Sequence, residues 1–525
     1  MFPWRNGNPA PVTYQINLSL FESFTTGAFT MKTRVLLFAV LISSGPFLAA
    51  EELHVGVATT DITPGTNYPV SGYYSERLST GTKDPLEAKA IVFRQGELSA
   101  AFVVCDLITV ASDLTVEVRK RIEQQTGIPG NHIIVAATHT HTGPDYTREL
   151  FSVISGRPLP ANWKDREPYA AKLIEAVAAA VVNAYEAAQP VKLLTGTAIQ
   201  ETPVAFHRRY LMKNGEYRTW IGLKDPNVLR TAGPIDPEIG ILLLQNPASS
   251  KPTALLSSHA LHLDTVGGTL WSADFPFFIE RTLRGALDGN IISLFGNGCC
   301  GNINHVDPNS TTRNSAEQIG TSLGQTIATA VPQLTEIAAP LLQIRSETVK
   351  LPLQFSTPEQ LTQAKKLLRE IQAGKNPDFY EHVDAYKRII IEHLRSNPDV
   401  DETISLIGWG LSSTNAGLGE FLTVDLQVIT LGRDFALVAL PGEMFVEYGL
   451  QIKKASPFKT TLVVELCNVG ETIYVPTREA YLATRDSFTG GGYEVVNSTT
   501  LPGTGDLFVD SAVKLLIQCA HDAGE

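Results

Sequence analysis

Ile133-Ile134-Val135-Ala136-Ala137-Thr138-His139-Thr140-His141-Thr142-Gly143-Pro144 is an apolar run that ends in a His-x-His pair and is stopped by Gly-Pro. A short apolar run bounded by turn-forming residues reads as a β-strand. Side chains alternate along a strand, so His139 and His141 are expected on one side with Cα atoms about 6.5 Å apart. One metal ion, or an ion and a water, fits between two imidazoles at that spacing. Imidazole is the commonest zinc ligand and also the natural base near neutral pH, so the pair can divide those two tasks.

On either side of this strand, short apolar β-branched runs alternate with helical patterns. Residues 100–104 read as strand, residues around 114–125 as helix, 133–137 as strand and 168–188 as helix. The same grammar resumes with strand at 254–258, helix at about 277–287, strand at 291–295 and an Ala-rich helix near 316–331. Such alternation predicts an α/β layered sandwich, a mixed β-sheet flanked by helices. Between 357 and 405 the chain turns helical and charged, with Leu361, Ala364, Leu367, Leu368 and Ile371 at three-to-four spacing, followed by Ile389, Ile390, Ile391 and Leu394. This stretch reads as a helical insertion, because strands return at 421–431, 435–440 and 461–466 and the core needs residues from both sides.

The chain has 525 residues, 43% hydrophobic and 18% charged, enough to bury a large core. Its net charge of -12 and the lack of a concentrated basic face argue against a nucleic-acid partner. Met31 opens a stretch with Lys32 and Arg34, an apolar run over 35–42, and small residues at Ala49 and Ala50. That pattern predicts a secretory signal peptide over 31–50 and a secreted or periplasmic protein that begins near Glu51. Residues 1–30, punctuated by Pro, Gly and Asn, read as a misassigned upstream start. The apolar run is short for a bilayer span, and no other segment is long enough. Five cysteines, two of them adjacent at Cys299 and Cys300, make neither a disulfide framework nor a CxxC zinc site.

Further polar groups stand at or just after the C-terminal ends of apolar runs, where open α/β sheets build ligand crevices. His259, His262 and Asp264 follow 254–258, and Pro441, Gly442 and Glu443 follow 435–440, where they are expected to open a helix. Another loop adds Tyr474, and the stretch from Gly296 to Asp307 is rich enough in glycine for its backbone to approach a ligand closely. Each has an ordinary structural explanation as well. Glu443 suits the first turn of a helix, His259 suits a hydrogen-bonded core position, and Tyr474 suits a half-buried aromatic with its hydroxyl at the surface. Their shared placement is what singles them out.

Three segments carry a family resemblance: Ala137-Thr138-His139-Thr140-His141-Thr142-Gly143-Pro144, Ala439-Leu440-Pro441-Gly442-Glu443, and Tyr474-Val475-Pro476-Thr477-Arg478-Glu479-Ala480-Tyr481. In order and spacing they resemble the neutral/alkaline, non-lysosomal ceramidases. The stretch from Gly56 to Pro64 and the Gly301-Asn302-Ile303 loop resemble the same catalytic domain, so the likeness spans roughly 53–515. The resemblance implies one catalytic Zn2+ held by His139, His262, Glu443 and Tyr474, with His259 as the alternative to His262. His262 is favoured because Ser272-Ala273-Asp274 follows it as the family's Ser-Ala-Asp triplet does. His141 is then the proton acceptor for the attacking water, and Arg208 faces the scissile carbonyl.

The implied reaction is hydrolysis of a linear amide in ceramide or a related small-molecule or lipid N-acyl compound. Peripheral membrane contact is compatible with such a substrate, and the oligomeric state is left open. Two departures stand out. The sequence shows no C-terminal β-sandwich domain of the kind the family's ceramidases carry, and Gly490-Gly491-Gly492-Tyr493-Glu494 replaces a longer aromatic segment. An esterase using the same site, and a secreted binding module that keeps the fold without turnover, remain competing readings.

Overall fold

A strand of uninterrupted apolar residues needs cover on both faces, and the way that cover is supplied sets the architecture. The computed structural model describes residues 51–159, 163, 165–287, 289–397, 410–482 and 492–524. The expected signal peptide, the segment before it, residues 398–405 of the expected insertion and Gly490-Gly491 lie outside the described residues.

The strands fall into three main sheets. The N-terminal sheet runs in space Ile133–Ala137, Leu98–Cys105, Glu87–Gln95, His54–Asp61 and Gln189–Pro190. A middle sheet runs Ile292–Asn297, Pro252–His259, Glu238–Gln245, Lys192–Ile199 and Thr335–Glu336. The C-terminal sheet runs Leu342–Pro352, Phe421–Leu431, Phe435–Ala439 and Thr460–Val464. The expected mixed α/β sandwich is therefore present, its strands divided among several sheets flanked by helices.

Alternation along the strands divides the core. In the N-terminal sheet, Val103, Cys105, Val135 and Ala137 pack on the helices Ser112–Thr126 and Ala170–Glu186. Phe102, Val104, Ile134 and Ala136 point the other way, into a common core with Leu242, Leu256 and Leu294 of the middle sheet and Leu437, Leu462 and Val464 of the C-terminal sheet. The outer face of the middle sheet is covered by Phe275–Ala286 and Ala316–Ala330. All five cysteines are buried with free thiols. Among the described residues no helix is long and apolar enough to cross a membrane.

Each sheet contains one parallel pair. Leu98–Cys105 runs parallel to Ile133–Ala137, Pro252–His259 to Ile292–Asn297, and Phe435–Ala439 to Thr460–Val464. The C-terminal ends of these pairs lie together. Asn468, just past one of them, donates its N–H to Val135 O at 2.7 Å and accepts from Val135 N at 3.0 Å, and Glu465 N donates to Asn297 O at 2.9 Å.

The strands Leu342–Pro352 and Phe421–Leu431 pair antiparallel from Leu342 opposite Leu431 to Pro352 opposite Phe421. Between them the chain forms two helices, Pro358–Gln372 and Phe379–Ser396. Thr357 and Gln360 make a capping box with Pro358 at the first turn, and the Asp378 carboxylate accepts from Tyr380 N and Glu381 N. Ala364, Leu368, Val383, Ile390 and Leu394 form the apolar stripe that seats the pair on the C-terminal sheet's core.

Candidate metal centre

His139 and His141 follow Ile133–Ala137, His262 follows Pro252–His259, and Glu443 follows Phe435–Ala439. One parallel pair from each sheet thus delivers its loop to the same place. Tyr474 arrives through a short parallel bridge, Glu443–Met444 against Tyr474–Val475, which sets it opposite Glu443. Glu443 does not open a helix as the sequence suggests. Its N–H donates to Ile473 O at 2.7 Å, and the next helix, Val446–Ala455, begins beyond it.

The His-x-His pair also departs from the simple expectation. The strand ends at Ala137 and His139 has φ of 80°, a left-handed conformation costly for a side chain of this kind. The two histidines therefore do not alternate along an extended strand, yet the turn still brings their rings to 5.0 Å. Leu466, Asn468 and Ile473 carry positive φ nearby, and Leu466 and Ile473 line the same cleft. Backbone strain is concentrated around this cleft.

His139 Nδ1 lies 2.6 Å from Ile108 O, so it carries the proton and leaves Nε2 with a free lone pair. His262 Nδ1 lies 3.3 Å from Cys300 O and is oriented the same way. The two Nε2 atoms are 3.0 Å apart, and Glu443 Oε2 stands 3.3 Å from His139 Nε2 and 3.6 Å from His262 Nε2. A tetrahedral ion with bonds of about 2.0 Å has donor atoms about 3.3 Å apart, and these separations bracket that value. Glu443 Oε2 is buried without a hydrogen-bond donor among the described residues. Such an atom is costly unless a cation or proton joins it. The donor set, two imidazole nitrogens and a carboxylate with a phenol beside it, fits a borderline divalent ion such as zinc.

Burial raises the Glu443 carboxyl, but His139, Tyr474 and Arg208 outweigh it and hold it below the ordinary range. Burial, then the Arg208 charge, pushes His262 well below its ordinary value and keeps the ring neutral. Burial and the Glu443 carboxylate hold the Tyr474 phenol well above its ordinary range. Tyr474 is buried, not at the surface. Arg208, 1% exposed, spans the group: Nη1 is 3.2 Å from His262 Nε2, Nη2 donates to Tyr474 OH at 3.1 Å and to Gly301 O at 2.8 Å, and Nε donates to Glu494 Oε1 at 2.8 Å.

His141 completes a set of three histidines, with His139 and His262, whose donor atoms lie within 4.8 Å of one another. Its Nε2 is buried with no partner among the described residues, and burial lowers the ring to about 4. His259 is not part of the group. Its Nδ1 lies 3.1 Å from Glu238 O, and it behaves as the hydrogen-bonded core histidine that was its ordinary reading.

Asp274 and Gly301, which sequence reasoning noted only as parts of family-like segments, and Gly72 and Arg77, which it did not single out, shape the centre. Asp274 Oδ2 accepts from Thr265 N at 3.0 Å and Val266 N at 2.9 Å, pinning the loop that carries His262 and giving the Ser272-Ala273-Asp274 triplet a physical role. Gly301 packs so closely on Glu443 that a Cβ there would lie 2.6 Å from the Glu443 carbonyl oxygen. Gly72, at φ of 100°, lies close against His141, where a Cβ would meet His141 Cβ, Cγ and Nδ1 at 2.8–2.9 Å. Arg77 Nη2 donates to His141 O at 2.9 Å, and its guanidinium stacks 3.9 Å from the Tyr73 ring centroid. The centre opens to a narrow cleft of about 60 Å³ lined by His139, His141, Glu443 and Tyr474 with Tyr74 and Tyr493.

No protein-family model matches the sequence, and no curated protein matches it. Solved structures do. The crystal structure of neutral ceramidase from Pseudomonas aeruginosa aligns over 90% of this chain and 75% of that one, with a TM-score of 0.61 and 17% identity. A structure described as ceramidase complexed with C2 aligns over 89% of this chain and 76% of that one, with a TM-score of 0.60 and 17% identity. Three sheets whose parallel pairs end at one cluster of histidines and a glutamate are thus built on the fold seen in neutral ceramidase.

Proposed function

We propose that the protein is a zinc-dependent hydrolase of linear amides, acting on ceramide or a related N-acyl compound outside the cytoplasm. One observation carries this reading: three buried lone-pair atoms, His139 Nε2, His262 Nε2 and Glu443 Oε2, converge within 3.0–3.6 Å at the head of a cleft. In this reading those side chains hold the ion together with Tyr474. Bound zinc supplies a Lewis acid for the amide carbonyl and acidifies water.

The chain's own groups divide the remaining work. His141 Nε2 accepts the proton of the attacking water and passes it to the leaving amine nitrogen, the task of a positioned imidazole. Arg208 presents a fixed positive charge to the carbonyl oxygen as negative charge develops there, and its bonds to Glu494 and Gly301 hold it in place beforehand. A second reading has one specific support, the set of three histidines: His141 would then be a third imidazole ligand of a closed, structural site.

Metal analysis of the purified protein, with release of fatty acid from a panel of N-acyl amides and matching esters, tests both. Zinc at one equivalent and cleavage of amides are expected, with His141→Ala keeping the ion and losing turnover, and His259→Ala changing neither. Loss of zinc from His141→Ala would favour the structural site, and cleavage of esters alone would overturn the amidase assignment.

A further inference from the structure

The cleft volume of about 60 Å³ is small beside the roughly 300–1,000 Å³ of pockets that enclose a whole ligand. It accommodates a reacting amide and its nearest carbons, and the remainder of any longer N-acyl group must run outward. One continuous apolar path leads out. The Tyr493 ring stands 5.3 Å from the Tyr474 ring, Trp220 lies 4.5 Å from Tyr493, and Phe379 stacks on Tyr493 at 5.9 Å with an interplanar angle of 25°. Trp220 and Phe379 meet at 6.0 Å. Exposure climbs along this path, from 3% at Tyr474 and 8% at Tyr493 to 41% at Phe379 and 46% at Trp220.

Packing within the protein accounts for only part of the outer two rings: the Arg208 guanidinium lies 5.5 Å from the Trp220 ring centroid, and Phe379 meets Tyr74 at 5.7 Å. Trp220 sits at φ of 55°, where a bulky residue is strained, and nearly half of its surface stays in water, so the burial that would offset the strain is incomplete. Strain held at the edge of a cleft points to binding. Phe379 is the first residue of its helix, fixed by the Asp378 cap, so the helical pair between the strands of the C-terminal sheet contributes one side of the path. The rings are rigid and apolar and present flat surface to a flexible chain at little entropic cost.

We infer that Trp220 and Phe379 form an outer subsite that binds the aliphatic acyl chain of the substrate beyond the cleft and sets the enzyme's chain-length preference. This rests on the amide-hydrolase reading. Each methylene laid on the rings tightens binding by up to about 4-fold. Short acyl groups end before reaching the rings and gain nothing from them.

The test uses the full chain loaded with zinc and its Trp220→Ala, Phe379→Ala and Trp220→Phe variants. Steady-state kinetics are measured on acetyl, hexanoyl and decanoyl amides of one amine, and binding of free decanoate and acetate is measured by calorimetry. Both alanine variants should raise KM for the decanoyl amide by about 10-fold or more and weaken decanoate binding equally, while acetyl-amide kcat/KM of Phe379→Ala, which does not touch Arg208, stays within about 2-fold of wild type. Trp220→Phe should recover most of the loss. Equal losses at every chain length in Phe379→Ala, or unchanged decanoate binding in both alanine variants, would overturn the subsite. Failure of the hydrolase reading looks different: wild type would cleave no amide of any length, and loss of decanoate binding in the variants would still report the subsite.

Discussion

Gly72→Ala is the most revealing single substitution, because it probes the base without touching a proposed ligand. A Cβ at this position would lie 2.8 Å from His141 Cβ and Nδ1 and 2.9 Å from Cγ, against ordinary contacts of about 3.5–4.0 Å. The imidazole must therefore retreat by roughly 0.7–1 Å or the backbone must yield. A displacement near 1 Å at a reacting group can cost about 100-fold in rate. The φ of 100° adds strain of about 1–3 kcal/mol in stability. Retained zinc at one equivalent is expected, since the three atoms nearest to such a Cβ all belong to His141. Urea unfolding, metal analysis and turnover of an acetyl amide read the three effects separately. Full activity in a stably folded Gly72→Ala protein would refute the idea that this glycine is the platform for His141, and loss of zinc would show that the perturbation spreads to the ion.

Two further outcomes follow from buried charge. Glu494 is fully buried and takes Arg208 Nε at 2.8 Å and Thr219 Oγ1 at 2.8 Å, with Arg209 Nε at 3.3 Å, so Glu494→Gln should destabilise by about 3–5 kcal/mol in denaturant unfolding, and a loss below about 1 kcal/mol would contradict the assignment. Glu471 accepts from Ser112 N at 3.0 Å and Ser112 Oγ at 2.6 Å, and burial raises it from 4.5 to about 7. A carboxyl raised on folding contributes stability that is complete below its unfolded value and disappears as pH climbs through the folded one, here from 4.5 to about 7. The group accounts for roughly 3 kcal/mol over that window. Glu471→Gln should therefore gain on wild type as pH rises across it, and parallel stability curves would refute the assignment.

The strand at Ile133–Ala137 was legible because both of its faces are covered, which turns alternation into a continuous apolar run. Lys192–Ile199 was not, because only every second residue of its first half is buried and Thr, Gly and Lys interrupt the pattern. Placement after strands, where crevices form, drew attention to His139, His141, His259, His262, Asp264, Glu443 and Tyr474, and the set of His139, His262, Glu443 and Tyr474 was what the family resemblance implied. The choice between His259 and His262 could not be made from periodicity, since both stand at the end of one apolar run. It depends on the turn after His259 and on Asp274, which pins the loop from the far side. Gly72 and Glu494 were invisible for a related reason. Their importance comes from contacts across 69 and 286 positions of chain, with His141 and Arg208, and no local pattern encodes such a contact.

The meeting of three parallel pairs at one edge has a consequence for how the molecule is held together. An ion gripped by loops from all three sheets would act as a rivet through pieces of backbone that are otherwise joined by side-chain packing and a few cross-sheet hydrogen bonds. Its binding free energy would then belong to the cohesion of the entire domain, about 2.7 kcal/mol at a hundredfold excess over Kd. Grip and chemistry would be supplied by the same atom, so the protein could not relax one without loosening the other.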